Sequence, residues 1–255
     1  MSDQTPKIKI VGRIFVNFEI HALTGLHIGG AAGTLAIGNV DNPVIRNPFS
    51  NEPYVPGSSL RGKMRSQLEK LYGLAQNVSI GRDVSIHSAK TQAEYDNSPV
   101  LHIFGIPAAD FLTEPTRLIV RDAALSQHTR DAFRDARTDL PYTEVKWEAA
   151  IDRVTSAATP RQQERVPAGA IFDGALTFTL YNDQDTELFN TVIRGLELVE
   201  EDYLGGQGAR GSGQVAFKNL VLSFNHHEKP VFDKHKLESL AELRALWAAQ
   251  GYAAK

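Results

Sequence analysis

The chain contains no cysteine. Disulfides and thiolate metal sites are therefore excluded, and a reducing cytoplasm is the expected setting. Long hydrophobic runs are missing too. None approaches the roughly 18 residues that span a bilayer, so no transmembrane helix and no membrane partner are expected. The opening MSDQTPKIKI lacks the apolar stretch of a secretory signal. There is no excess of positive charge. The net charge is −3, so no global field attracts a polyanion, and any nucleic-acid site must be a local patch. No internal repeat of fixed period is visible. What remains is an ordinary soluble composition, 42% hydrophobic and 22% charged, over 255 residues. That length suits one large domain or two small ones with a real core.

Periodicity supplies the elements. Residues 7–21 alternate, with Ile14, Val16, Phe18 and Ile20 on one face, as in a half-buried strand. Ser58 or Ser59 is a suitable N-cap for a helix over 60–74, with Leu60, Met64, Leu68 and Leu71 on its apolar stripe. Residues 75–115 read as an irregular insertion. A short strand is expected at 118–121 and a short polar helix at 126–137. Residues 143–166 read as a long arm folded back on itself. A strand over 171–181, a helix over 185–204, a strand over 214–224 and a terminal helix over 236–250 complete the pass. This order fits an α+β fold of the ferredoxin-like type with a large central insertion. Fold alone does not give function.

Five features carry possible chemistry. In GGQGARGSG (205–213), Gly206, Gly208 and Gly211 satisfy G-x-G-x-x-G. A dinucleotide fingerprint needs a strand before and a helix after, and here the order is reversed. No Lys-Ser or Lys-Thr follows, which excludes a P-loop. A simple turn remains, or a loop of bare amides with Arg210 that wraps a phosphate backbone. Asp41-Asn42-Pro43 is a turn signal in its own right. Gly57-Ser58-Ser59 is an N-cap or an anion seat. Arg61, Lys63 and Arg65 are a solvated face or phosphate contacts. His27 fits a polar strand end as well as a functional role. His102, His226 and His227 show no ligand spacing, and a structural zinc is not expected.

Taken together and in order, LTGLHIGG, IGNVDNPVIRNPFSNEPYVPGSSLRGKMR, RLIVRDA, EVKWEAAIDRVTSAATPRQQERVPAG and GGQGARGSGQVAF closely resemble the RAMP-superfamily backbone subunit of type III-A CRISPR effectors. The resemblance spans roughly Lys7 to Phe224 and omits the C-terminal helix. It implies an RRM-like core over about 7–74 and 166–225, a lid over about 75–115 and a protruding thumb over about 142–168. It implies copies stacked in a filament on CRISPR RNA, beside other subunits of the Csm complex. It also implies cleavage of paired target RNA at regular spacing, aided by a divalent cation such as Mg2+ or Mn2+. Asp41 falls on the aspartate of the I-G-x-[VI]-D-[NS]-P motif, which carries the cut and could hold the metal. His27, Gly29, Gly30, Ser58, Ser59, Arg61, Lys63 and Arg65 fall on RNA-binding motifs. Gly206, Gly208, Arg210 and Gly211 would also line the guide. Lys146, Arg153, Arg161 and Arg165 would be secondary thumb contacts. Relatives that carry cysteines before a Phe-Gly can hold zinc there; residues 96–105 have none. Rival readings are a non-cleaving scaffold, and a CRISPR-RNA-processing endonuclease of the same superfamily.

Overall fold

The computed structural model describes residues 8–30, 42–81, 84–107, 110–136, 138–227 and 232–252. Its centre is strand β1 (Gly12–Ala22), whose alternation buries Ile14, Val16, Phe18 and Ile20. β1 pairs antiparallel on one side with β9 (Ile171–Leu180) and on the other with β10 (Val215–His226). Three short strands complete that half of the sheet. β2 (Tyr54–Val55) pairs with β6 (Ala123–Leu125), while β6 and β5 (Leu118–Val120) both pair with β9. The far edge is β11 (Phe232–Ser239), antiparallel to β10. Among the described residues this makes one seven-stranded sheet in the order β11-β10-β1-β9-β6-β2, with β5 beside it on β9.

Two long helices cover one face. Helix α1 (Gly57–Leu71) buries Leu60, Met64 and Leu68, and α5 (Asp185–Glu201) buries Phe189, Val192, Ile193, Leu196 and Val199. They approach closely because Gly195 has no side chain: a Cβ there would lie 3.1 Å from Leu68 Cδ1. Leu71 was expected on the same stripe but is exposed, because it sits on the last turn beyond this contact. The expected serine cap also differs. The helix starts at Gly57, its N-cap is Pro56, and no side chain of the cap bonds to it. A distant carboxyl takes over: Asp122 Oδ1 accepts the Gly57 amide at 2.7 Å.

The C-terminal segment needs correcting as well. A helix from 236 was expected, but residues 232–239 form strand β11 and α6 (Leu240–Trp247) begins only after it. The reason is a capping box. Ser239 Oγ accepts the Glu242 amide, and Glu242 Oε2 accepts the Glu238 amide, which fixes the start. Upstream, Leu237 and His235 align with Leu220 and Leu222 on the sheet edge. Trp247 closes the core, donating its indole N–H to Thr186 O at 3.2 Å.

Residues 75–115 are more ordered than an irregular insertion. They hold the hairpin β3 (Val78–Ser79) and β4 (Ser85–Ile86), helix α2 (Gln92–Asp96) and helix α3 (Pro99–Phe104). Ala89, Tyr95 and Leu101 form a small cluster of their own, while Val100, Ile103 and Phe104 join the main core. Helix α4 (Gln127–Asp135) follows β6. The remaining pair, β7 (Glu144–Ile151) and β8 (Ala158–Arg165), forms a separate two-stranded ribbon. Among the described residues, no helix is long and apolar enough to cross a membrane.

Candidate nucleic-acid interface

Asp41 lies outside the described residues, whereas residues 28–30 and 43–45, on either side of it in the chain, are described. Residues 28–30 and 43–45 run antiparallel. Ile45 N donates to Ile28 O at 2.8 Å, Gly30 N donates to Pro43 O at 3.1 Å, and Gly29 bridges Val44. Gly30 allows this close approach, since a Cβ would fall 3.1 Å from the Ile45 Cα. These bonds make a neck that closes the segment 31–42.

One carboxyl locks that neck to the base of the ribbon. Glu164, on β8, is only 2% exposed. Its Oε2 accepts the Val44 amide at 2.8 Å, and its Oε1 accepts the Thr143 hydroxyl at 2.6 Å and the Arg46 guanidinium at 2.5 Å. Its backbone amide donates to Asn42 O at 3.3 Å. Its carbonyl accepts from His27 Nδ1 at 2.6 Å. A carbonyl can only accept, so Nδ1 carries the hydrogen and the neutral ring presents Nε2 as an acceptor. That nitrogen faces Gly29, where a Cβ would lie 3.6 Å away. Arg46 also binds Asn51 O at 2.7 Å and Pro141 O at 2.9 Å. Both sides of the neck and both strands of the ribbon therefore meet at Glu164.

The glycine loop packs against the same place. Gly206 N donates to His27 O at 2.8 Å, and Gly213 N donates to Gly25 O at 2.9 Å. Gly205 has φ of 78°, and a Cβ there would strike His27 O at 2.2 Å. So the loop is not a loose turn. Gly208–Arg210 form a single 3-10 turn bounded by left-handed Gln207 and Gly211, and Gly208 lies on the Tyr203 ring. Arg210 Nη1 binds Glu148 Oε2 at 3.2 Å and Gln207 Oε1 at 3.0 Å. Lys146 Nζ lies 2.9 Å from Glu148 Oε1 and donates to Arg210 O at 3.3 Å. Hydrogen bonding from Lys146, with help from the charge of Arg210, holds the Glu148 carboxyl below the usual range.

Helix α1 divides its cations between two faces. Lys63 turns to the glycine loop, with Nζ 2.7 Å from Asp202 Oδ2 and 3.5 Å above the Tyr203 ring. Arg61 and Arg65, four residues apart, face the inserted region instead. Arg61 donates to Phe104 O at 2.6 Å. Arg65 donates to Gly105 O at 3.0 Å, to His87 O at 2.7 Å and to Glu69 at 2.6 Å. Burial, reinforced by the charge of Arg65, lowers the Arg61 pKa.

The fold thus gathers His27, Gly29, Gly30, Lys63, Gly206, Gly208, Gly211, Arg210 and Lys146 around the neck and glycine loop. It places Arg165 at the ribbon base, bound to Glu144 at 2.6 Å and lying over Gly25. It does not bring in Arg153, which is exposed at the ribbon's turn, and it places exposed Arg161 opposite Glu148 in the ribbon's register. Ser58 is exposed and Ser59 half-buried at the α1 start, near the Asp122 carboxyl. Sequence reasoning gave no role to Glu164, Arg46, Thr143, Asp202 or Tyr203. Arg46 and Glu164 lie within the quoted motifs, so their motif context was the available signal.

A family model described as the RAMP superfamily matches residues 19–216. The chain belongs to that superfamily. Among RAMP relatives, it is 39% identical over 212 residues to the "CRISPR system Cms endoribonuclease Csm3" of Enterococcus italicus, covering 83% of this chain and 89% of the relative. It is 38% identical to the protein of the same name from Streptococcus thermophilus, covering 91% and 96%. The Mycobacterium tuberculosis counterpart is 38% identical, covering 86% and 90%. A solved RAMP structure, the Csm3-Csm4 subcomplex in the type III-A CRISPR-Cas interference complex, aligns with TM-score 0.60 and 28% identity, covering 95% of this chain and 98% of that one.

Proposed function

We propose that this chain is the repeated backbone subunit of a type III-A CRISPR ribonucleoprotein, and that it binds CRISPR RNA and cleaves complementary target RNA at regular intervals. The names of its relatives support this reading. Within the chain, the observation that carries it is the Glu164 lock, which joins the ribbon base to both sides of the loop bearing Asp41. The spatial order β10-β1-β9-β5/β6, with α1 and α5 packed together, supports reading the core as ferredoxin-like and RRM-like. Residues 75–115 are then the lid and the β7–β8 ribbon the thumb. Partners are the guide, the target, further copies of this chain and other Csm subunits.

The guide backbone would lie along the glycine loop, met by amides, Lys63 and Arg210. Such contacts position RNA without reading bases, and base pairing supplies the sequence. His27 Nε2, the ring nitrogen that Glu164 leaves free of its own contact, would meet a ribose 2′-hydroxyl. Arg61 and Arg65 act through the inserted region that they hold. The exposed ribbon side chains Trp147, Ile151 and Val154 would enter the guide–target duplex and splay one target nucleotide. Its 2′-hydroxyl then lines up with the adjacent phosphorus. The O2′–P bond forms and the P–O5′ bond breaks, leaving a 2′,3′-cyclic phosphate, and the departing O5′ takes a proton from solvent water to become a 5′-hydroxyl. Asp41 takes the proton of the attacking hydroxyl.

The donor set limits where a divalent cation can sit. Among the described residues, no group of three or more metal-ligating side chains occurs. Glu164 has both oxygens filled. A hard ion that shares one carboxylate with RNA phosphates still fits, and Asp41 is the residue that would hold it. When bound, it would stabilise charge on the phosphate and favour loss of the hydroxyl proton.

The test is Asp41→Ala in the complex assembled with guide and complementary RNA. Assembly and target binding are expected to persist while cleavage falls by at least about 100-fold. Undiminished cutting would favour a scaffold role, with the chemistry elsewhere.

A further inference from the structure

We propose that Glu148 occupies, in the RNA-free chain, the seat that an RNA phosphate takes on binding, and so selects against RNA too short or too poorly seated to displace it. This rests on the reading that the guide runs along the glycine loop.

Two cations from separate elements converge on this one carboxyl. Lys146 comes from the same strand as Glu148, two residues away and therefore on the same face. Arg210 comes from the glycine loop, 62 residues on in sequence. Each cation takes a different carboxyl oxygen, at 2.9 and 3.2 Å. This is the arrangement in which two non-bridging oxygens of a phosphate would be held. The cluster is partly open to solvent, so a phosphate can reach it. The other flank of the loop repeats the pattern, with Asp202 closing on Lys63 at 2.7 Å. Cations on both flanks of the loop are thus already matched by acids. With a net charge of −3 there is no surplus field to hold RNA in general. Binding becomes an exchange of carboxylate for phosphate. A single exchange gains little, whereas many made along one extended guide add up.

The probe is a labelled oligouridine titrated into the full chain across a salt series, with Glu148→Gln as the variant. The variant keeps the shape and removes the charge. Expected is binding up to about fivefold tighter at low salt, the reach of one exposed ion pair. The slope of log affinity against log salt should steepen by about 0.7. Adding Lys146→Gln to Glu148→Gln should return the slope to the wild-type value, a restoration that a merely structural role would not produce. An unchanged or weakened affinity for the single variant overturns the proposal, with thermal unfolding confirming that it is folded. If wild type and variant both fail to bind at every salt concentration, the RNA-binding reading falls and takes the proposal with it.

Discussion

The two halves of the β7–β8 ribbon share one hydrogen-bond ladder but little else. At its base, Thr143, Gln163 and Glu164 are buried, and Glu164 links the neck, His27 and Arg46. Toward the tip, Trp147 is 64% exposed and Val154 93% exposed. There the turn is held by Asp152, which accepts from the amides of Val154 and Thr155, and by Thr155, whose hydroxyl accepts the Ala157 amide. The base is completed within the chain, so its geometry is fixed before anything binds. The tip exposes Ile151 and Val154 beside polar residues such as Arg153, so whatever gives it a role must come from outside. A rigid base with an unfilled tip is what a wedge needs.

Three substitutions would break or sharpen this contrast. The largest effect is expected for Glu164→Ala at the base. It strands a largely covered Arg46 and the Val44 amide, and should cost about 3 kcal/mol in urea unfolding. A loss below about 0.5 kcal/mol would mean that the lock is ornamental. Next comes Gly205→Ala, which extends the base into the glycine loop. Its φ of 78° and the 2.2 Å approach to His27 O predict a loss of about 2 kcal/mol, together with weaker RNA binding. Normal stability would show that the loop yields easily. The smallest effect on stability belongs to the tip. Val154→Ser should change unfolding by no more than about 0.5 kcal/mol, yet slow target cleavage by the assembled complex. If cleavage kept its rate, the tip would have no part in splaying the target.

The same contrast explains what could be read in advance. β1, β9 and α5 were legible because their burial follows a period of two or of 3.6 along the chain. The ribbon was legible as an arm because 143–151 alternates and is followed by a polar return. Strand β5 was read at 118–121, where it lies, but β2 and β6 were harder. Two or three residues carry no period, and their pairing is decided by β9 and by one another. β11 was masked by helix-forming residues whose true start is set by a capping box at Ser239. At the site, motif context marked out Asp41, His27 and the glycine loop. It also put Arg61, Lys63 and Arg65 in one class, while the structure sends the two arginines to the inserted region and only Lys63 to the loop.

By itself, the sequence determined the long strands and helices of the core and where the chemical groups cluster along the chain, since those follow from periodicity and local residue type. The tertiary structure decided which groups meet. Glu164 reaches His27 across 137 positions and Val44 across 120. No local pattern encodes such pairings, because a hydrogen bond depends on distance in space, and that distance is set only once the sheet has closed and brought the two segments together.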